Sequence, residues 1–312
     1  MKTAFIFPGQ GSQSVGMGKA FFDSSSKARA VFEQANEALG FDLASLCFSG
    51  DEEELKLTAN AQPAILTTSI ACLAAFNETG KAITPDYVAG HSLGEYSALV
   101  AGGCLNLGDA VRVVRRRGEF MQEAVPKGIG AMAAIIGIDY ATVKNVCEES
   151  AAKGVCSPAN SNSPTQTVIA GHKEAVEYAA NLAKERGARR AIMLAVSAPF
   201  HCDLMKPAAD RLAEVLQKTH LADLSIPLVT NVDAKSILRG DEARDSLVRQ
   251  VASPVLWSST VNYLIDNGVK RFVEIGPGRV LSGLVKQISK DCHVYNMEDP
   301  DSLESVLEAL GG

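Results

Sequence analysis

Gly90-His91-Ser92-Leu93-Gly94 fits G-x-S-x-G, the pattern of a nucleophile elbow. The two glycines permit a sharp strand-to-helix turn that pushes the serine hydroxyl out at the carboxyl end of the strand. The helix that follows offers backbone N–H groups, and that of Leu93 would point at a developing oxyanion. A serine nucleophile needs a base, and the chain has five histidines: His91, His172, His201, His220 and His293. The order usual in α/β-hydrolases, serine then acid then a late histidine, favours His293 with an acid such as Asp266. His201, in Ser197-Ala198-Pro199-Phe200-His201-Cys202, is the rival. The pattern alone leaves both open.

Arg115-Arg116-Arg117 follows Arg112 on an otherwise apolar helix. Successive residues of a helix are about 100° apart, so the three cannot share one environment. One of them can turn inward, and a buried arginine needs an anion. Two phosphate-loop readings fail. Gly9-Gln10-Gly11-Ser12-Gln13-Ser14 has serine where G-x-G-x-x-G needs its third glycine, and no G-x-x-x-x-G-K-[ST] occurs. The seven cysteines are scattered without a C-x-x-C pair, which argues for reduced thiols rather than a disulfide framework or a zinc site. No metal and no tightly bound cofactor are expected.

These groups need elements to carry them. Residues 2–7 read as a short buried strand before the Gly-rich turn, and 87–90 as a second strand running into the elbow. Helices are expected over 26–39, 64–78, 95–101 and 108–124 from their apolar spacing. After Pro126-Lys127-Gly128 the order becomes strand 131–136, helix 140–153, strands 155–160 and 166–171, helix 173–186, strand 190–196. This β-α-β-β-α-β order is the ferredoxin-like motif. The large part resumes with helix 204–219, strand 228–231, helices 241–251 and 255–267, and strand 271–275. The expected fold is therefore α/β: an α/β-hydrolase-like core with a mostly parallel sheet, from residues 1–126 and 198–312, plus an inserted ferredoxin-like subdomain at 127–197.

With 312 residues, 46% of them hydrophobic, the chain can bury a large core. Its net charge of -6 argues against a partner as acidic as nucleic acid over the whole surface. Met1-Lys2-Thr3 enters the first strand directly, with too few apolar residues for a signal-peptide core. No uninterrupted apolar stretch approaches the roughly 18 residues of a membrane span. The reading is a cytoplasmic protein without a membrane partner.

Taken together, these pieces resemble the malonyl-CoA:acyl carrier protein transacylase family over essentially the whole chain. The residues that carry the likeness are Phe7-Pro8-Gly9-Gln10-Gly11-Ser12-Gln13, Gly90-His91-Ser92-Leu93-Gly94-Glu95-Tyr96 and Arg117-Gly118. Further on they are Asn160-x-Asn162-x-Pro164, Pro199-Phe200-His201, Asn231-Val232, Gln250 and Glu274-Ile275-Gly276-Pro277-Gly278. The resemblance implies Ser92 as nucleophile and His201, not His293, as base. It also implies an oxyanion hole from the N–H groups of Gln10 and Leu93, and a histidine oriented by a backbone carbonyl near Gln250. Arg117 corresponds to the arginine that pairs with the malonyl carboxylate, helped by the Gln250 side chain. Gln62, Met121 and Val280 fall where the family lines its acyl pocket, and Phe200 resembles the malonyl-selective version of its motif.

The implied reaction moves a malonyl group from malonyl-CoA to an acyl carrier protein, for fatty-acid biosynthesis. A local basic docking surface is then expected, with Lys184, Arg186, Arg189, Arg190, Arg115 and Arg116 as candidates. A thioesterase using His293, a related acyltransferase for another acyl group, and a non-catalytic carrier-protein-binding subunit are the competing readings.

Overall fold

The computed structural model describes residues 1–126, 128–196 and 198–311. Its centre is β1 (Lys2–Phe7), buried from Thr3 onward and flanked by parallel neighbours on both sides. A strand covered on both faces has no reason to alternate, which is why Thr-Ala-Phe-Ile-Phe reads as a continuous run. Next to it lies β2 (Tyr87–Gly90), in register so that Phe7 sits opposite Gly90.

The chain then leaves the large sheet and builds a small one from β3 (Gly130–Ile136), β4 (Cys156–Ser163), β5 (Gln166–His172) and β6 (Arg190–Met193). This sheet is antiparallel, in the order β4-β5-β3-β6, with helices Tyr140–Glu149 and Lys173–Glu185 on it. That order is the ferredoxin-like one the sequence calls for. Its apolar layer, from Ala133 and Ile135 to Val176 and Ala183, is a core of its own. The expected subdomain limits at Lys127 and Ser197 lie outside the described residues.

The large sheet is completed by β7 (Leu228–Val229), β8 (Ser236–Ile237), β9 (Val269–Ile275) and β10 (His293–Met297). Its order is β10-β9-β1-β2-β7-β8, parallel except for the β7–β8 pair at one edge. Because β1, β2 and β7 are neighbours pointing the same way, their carboxyl ends deliver three loops to one place. These are the Pro8–Gln13 turn, the Ser92 elbow and the segment starting at Thr230. Ligands of such sheets bind at this end.

Several expected limits shift. The helix expected from residue 64 begins at Thr58 and runs to Glu78, with Pro63 inside it. A proline there forgoes the bond to the Ala59 carbonyl, and dense burial of the helix outweighs that cost. By length and composition this helix could cross a membrane, yet 83% of its most apolar window is buried in the fold. It is the core helix of the large domain. The strand expected at 228–231 ends at Val229, and everything after Ile275 went unassigned: helix Val280–Ile288, β10 and helix Pro300–Gly311.

One close approach aligns the site. A Cβ on Gly118 would lie 2.7 Å from the Ala59 Cα. Only glycine there lets helix Leu107–Glu123 press against helix Thr58–Glu78, bringing Arg117 beside Gln62.

Candidate active site

Ser92 has φ of 50°, a left-handed value uncommon for a residue with a Cβ. The turn is tight enough that a Cβ on Gly90 would lie 2.0 Å from Gly94, and one on Gly94 would lie 2.0 Å from the Phe7 carbonyl. Both ends of the strained peptide are held. The Ser92 N–H donates to Asn231 Oδ1 at 2.6 Å, and its carbonyl accepts from Gln250 Nε2 at 3.1 Å. Asn231 Nδ2 in turn donates to the Gly90 carbonyl at 2.7 Å, so one side chain spans the elbow.

His201 also adopts a left-handed backbone, with φ of 59°. Its Nε2 is 2.7 Å from Ser92 Oγ, and its Nδ1 is 2.8 Å from the Gln250 carbonyl oxygen. A carbonyl can only accept, so Nδ1 carries the hydrogen and Nε2 is left to take a proton from serine. Burial, and after it the charge of Arg117, push the histidine pKa from 6.5 down to about 3. The base is neutral and correctly oriented without a carboxylate behind it.

Arg117 is the inward-turned member of the arginine run, 1% exposed. Nη1 donates to Gln62 Oε1 at 2.8 Å; Nη2 donates to Gln250 Oε1 at 2.9 Å and to Ser92 Oγ at 3.0 Å. Its guanidinium carbon stands 5.5 Å from the centre of the Tyr96 ring. These hydrogen-bond partners are neutral, and burial holds the arginine pKa below its usual value. A guanidinium so placed still lacks a bonded anion. Arg115 and Arg116 point elsewhere: Arg115 bonds Asn60 at 2.8 Å and Arg116 pairs with Glu119 at 2.9 Å.

A cleft of about 550 Å³ opens onto Ser92, His201 and Arg117. Gln10 and Leu93 line it too, on the neighbouring loops after β1 and β2. Met121 and Phe200 stand on its walls with Met132 and Leu194 of the small sheet's side. Gln62 lies just behind, with its Nε2 3.7 Å from Met121 Sδ. Val280 is not brought to this site. It opens helix Val280–Ile288, is 54% exposed, and is absent from the cleft lining.

His293 fails as a base for a topological reason. It is the first residue of β10, paired with Arg271 near the start of β9, whereas Ser92 stands beyond the carboxyl end of β2. Asp266 is exposed at the end of helix Trp257–Asp266. Among the described residues no cluster of three or more His, Cys, Asp or Glu could hold a metal.

Known proteins resemble this chain along essentially its whole length. Residues 4–304 match the family described as the acyl transferase domain. A malonyl CoA-acyl carrier protein transacylase of Bacillus subtilis is 51% identical over 310 residues, covering 99% of this chain and 97% of its own. The chain belongs to the malonyl CoA-acyl carrier protein transacylase family. Among solved structures, an acyl-carrier-protein S-malonyltransferase from Burkholderia pseudomallei superposes with a TM-score of 0.96 at 46% identity, covering 99% of this chain and 100% of its own. A type II PKS acyl-carrier protein in complex with its malonyl-transacylase gives the same TM-score, identity and coverage.

Within this transacylase the sequence left some residues without a role. Asn231 and Glu95 entered only as parts of family motifs, yet both lie directly beneath the elbow. Glu95 is fully buried, and desolvation pushes its pKa up to about 7 against the hydrogen bonds it receives. The signal was present: a lone carboxylate in the first turn of an otherwise apolar helix, Gly94–Ala101. His91 likewise ties the elbow to the small sheet, with Nε2 2.9 Å from Asn162 Oδ1.

Proposed function

We infer that this chain transfers the malonyl group of malonyl-CoA to the phosphopantetheine thiol of an acyl carrier protein, through a malonyl ester on Ser92. The observation that carries the reading is the buried Arg117 guanidinium, bonded only to neutral groups and within reach of the nucleophile. A malonyl carboxylate supplies the missing anion.

In loading, Ser92 Oγ gives its proton to His201 Nε2 and bonds to the thioester carbonyl carbon. The carbonyl oxygen, now negative, is received by the N–H groups of Gln10 and Leu93. Collapse breaks the carbon–sulfur bond, and coenzyme A leaves with the proton held by His201. Once Ser92 Oγ has become an ester oxygen it is a poor acceptor, so Nη2 of Arg117 turns to the malonyl carboxylate. In transfer, the carrier thiol loses its proton to His201 and attacks the ester carbonyl. Ser92 departs and recovers the proton. Each half-reaction conserves one thioester or ester, and no outside reagent is needed.

Acetyl-CoA has no carboxylate and leaves the guanidinium desolvated without return, which is the basis for strong discrimination. Gln62 and Gln250 hold the guanidinium edge toward the acyl chain, while Met121 and the bulk of Phe200 narrow the space around an α-carbon substituent. Residues 1–126 with 198–311 form one subdomain and 128–196 the other, and substrate enters between them. The cytoplasmic location goes with the same reading.

Steady-state kinetics with malonyl-CoA and carrier protein varied together test this. Parallel double-reciprocal lines follow from a covalent intermediate. Intersecting lines mean direct transfer and contradict it.

A further inference from the structure

Gln250 meets the site through three groups. Its carbonyl takes the His201 Nδ1 hydrogen, its Oε1 accepts from Arg117, and its Nε2 donates to the Ser92 carbonyl and to Glu95 Oε2 at 3.0 Å. An amide can be turned over, exchanging oxygen for nitrogen. Turned over here, its oxygen would face a carbonyl and a carboxylate, and its NH2 would face a guanidinium. The carboxylate of Glu95 thus forbids the orientation in which Arg117 loses its acceptor.

The same oxygen does a second thing. Glu95 Oε2 also accepts the Asn231 N–H at 2.8 Å, and Asn231 holds both the Ser92 N–H and the Gly90 carbonyl. Glu95 Oε1 receives only the Ser246 hydroxyl, at 3.3 Å. The carboxylate is fully buried and makes no ion pair closer than its attraction to Arg117. A buried carboxylate in that situation is expensive to keep for stability alone.

We propose that Glu95 is the positioning residue of the malonyl clamp: its Oε2 fixes the Gln250 amide and the Asn231 backbone, and through them Arg117 and the Ser92 peptide. This rests on the transacylase reading above. What matters is an acceptor at one point in space, not a charge. A glutamine at 95 can put its oxygen at the Oε2 position and its NH2 toward the Ser246 oxygen, preserving both bonds. An aspartate keeps the charge but draws the acceptor back by about one bond length, roughly 1.5 Å.

The test is the ratio of malonyl to acetyl loading on Ser92, read by intact mass from malonyl-CoA and acetyl-CoA. A ratio cancels the fraction of protein that is folded, so a merely structural residue would not move it. Glu95→Asp and Glu95→Met are expected to lower the ratio about tenfold or more, and Glu95→Gln to restore it to within about twofold of the parent. If Glu95→Met does not fold, Glu95→Asp still reads the acceptor. Unchanged ratios in Glu95→Asp, or a loss in Glu95→Gln as large as in Glu95→Asp, would overturn the inference. Failure of the parent protein to take malonyl would instead defeat the transacylase reading.

Discussion

His201 shares its cleft with a buried guanidinium, and that neighbour helps set how the base titrates. Desolvation and Arg117 both disfavour the imidazolium, bringing the pKa to about 3. A general base works only when unprotonated, so lowering its pKa widens the active range toward acid. The kcat/KM for malonyl-CoA, which reports the free enzyme, is expected to stay flat between about pH 8 and about pH 5 with no inflection near 6.5. In the malonyl complex the substrate carboxylate neutralises Arg117, so kcat should titrate at higher pH than kcat/KM. A kcat/KM inflection at the ordinary imidazole value that persists in Glu95→Gln, where the neighbouring carboxyl near 7 is removed, would mean that His201 is neither buried nor beside a charge. The elbow and the basic run were legible at this scale because glycine spacing and helical phase are local. The choice between His201 and His293 was not legible from pattern, since it depends on which strand ends meet across the sheet.

At the scale of elements, helix Leu107–Glu123 aims Arg117. Its start is set by Asn106, whose Oδ1 accepts from the Asp109 N–H at 2.8 Å. Its depth is set by Gly118, where a side chain would meet the Thr58 carbonyl and Ala59 Cα. These two devices separate stability from function. Asn106→Ala should cost about 1 kcal/mol in urea unfolding and leave the preference for malonyl intact. Gly118→Ala should cost about 2 kcal/mol and also weaken malonyl loading, because the helix must back away from Gln62. Equal loading by the two variants would mean that helix packing does not position Arg117. Strand order in the small subdomain was readable because β-α-β-β-α-β permits few arrangements. The start of helix Thr58–Glu78 was hidden by Pro63, a local breaker that tertiary burial overrides. The elements after Ile275 were not assigned from sequence, although Val280–Ile288 and Pro300–Gly311 carry apolar faces that pack on the core.

For the molecule as a whole, the net charge of -6 conceals an uneven surface. Lys184, Arg186, Arg189 and Arg190 are all exposed on the small subdomain around the start of β6. Arg186 pairs with Glu149 at 2.8 Å, while Arg115 bonds Asn60 on the neighbouring helix and Arg116 pairs with Glu119 on its own. This narrows the candidate carrier-protein contacts to Lys184, Arg189 and Arg190. Charge reversal there should raise KM for the carrier protein and leave loading from malonyl-CoA unchanged. Unaltered transfer kinetics would remove this patch from the interface. Val280, unlike Gln62 just behind the cleft wall, is an expected pocket residue that the fold turns out to solvent, at a helix start that no local pattern marked.

The central claim is a malonyl group carried by Ser92 and selected by Arg117. Its most direct test is intact mass after mixing the protein with malonyl-CoA or acetyl-CoA in the absence of carrier protein, with Ser92→Ala and Arg117→Ala alongside. The account predicts one malonyl adduct on the parent, little acetyl adduct, none on Ser92→Ala, and a lost preference for malonyl in Arg117→Ala. Coenzyme A released continuously without an adduct, or malonyl and acetyl taken up equally by the parent, would contradict it.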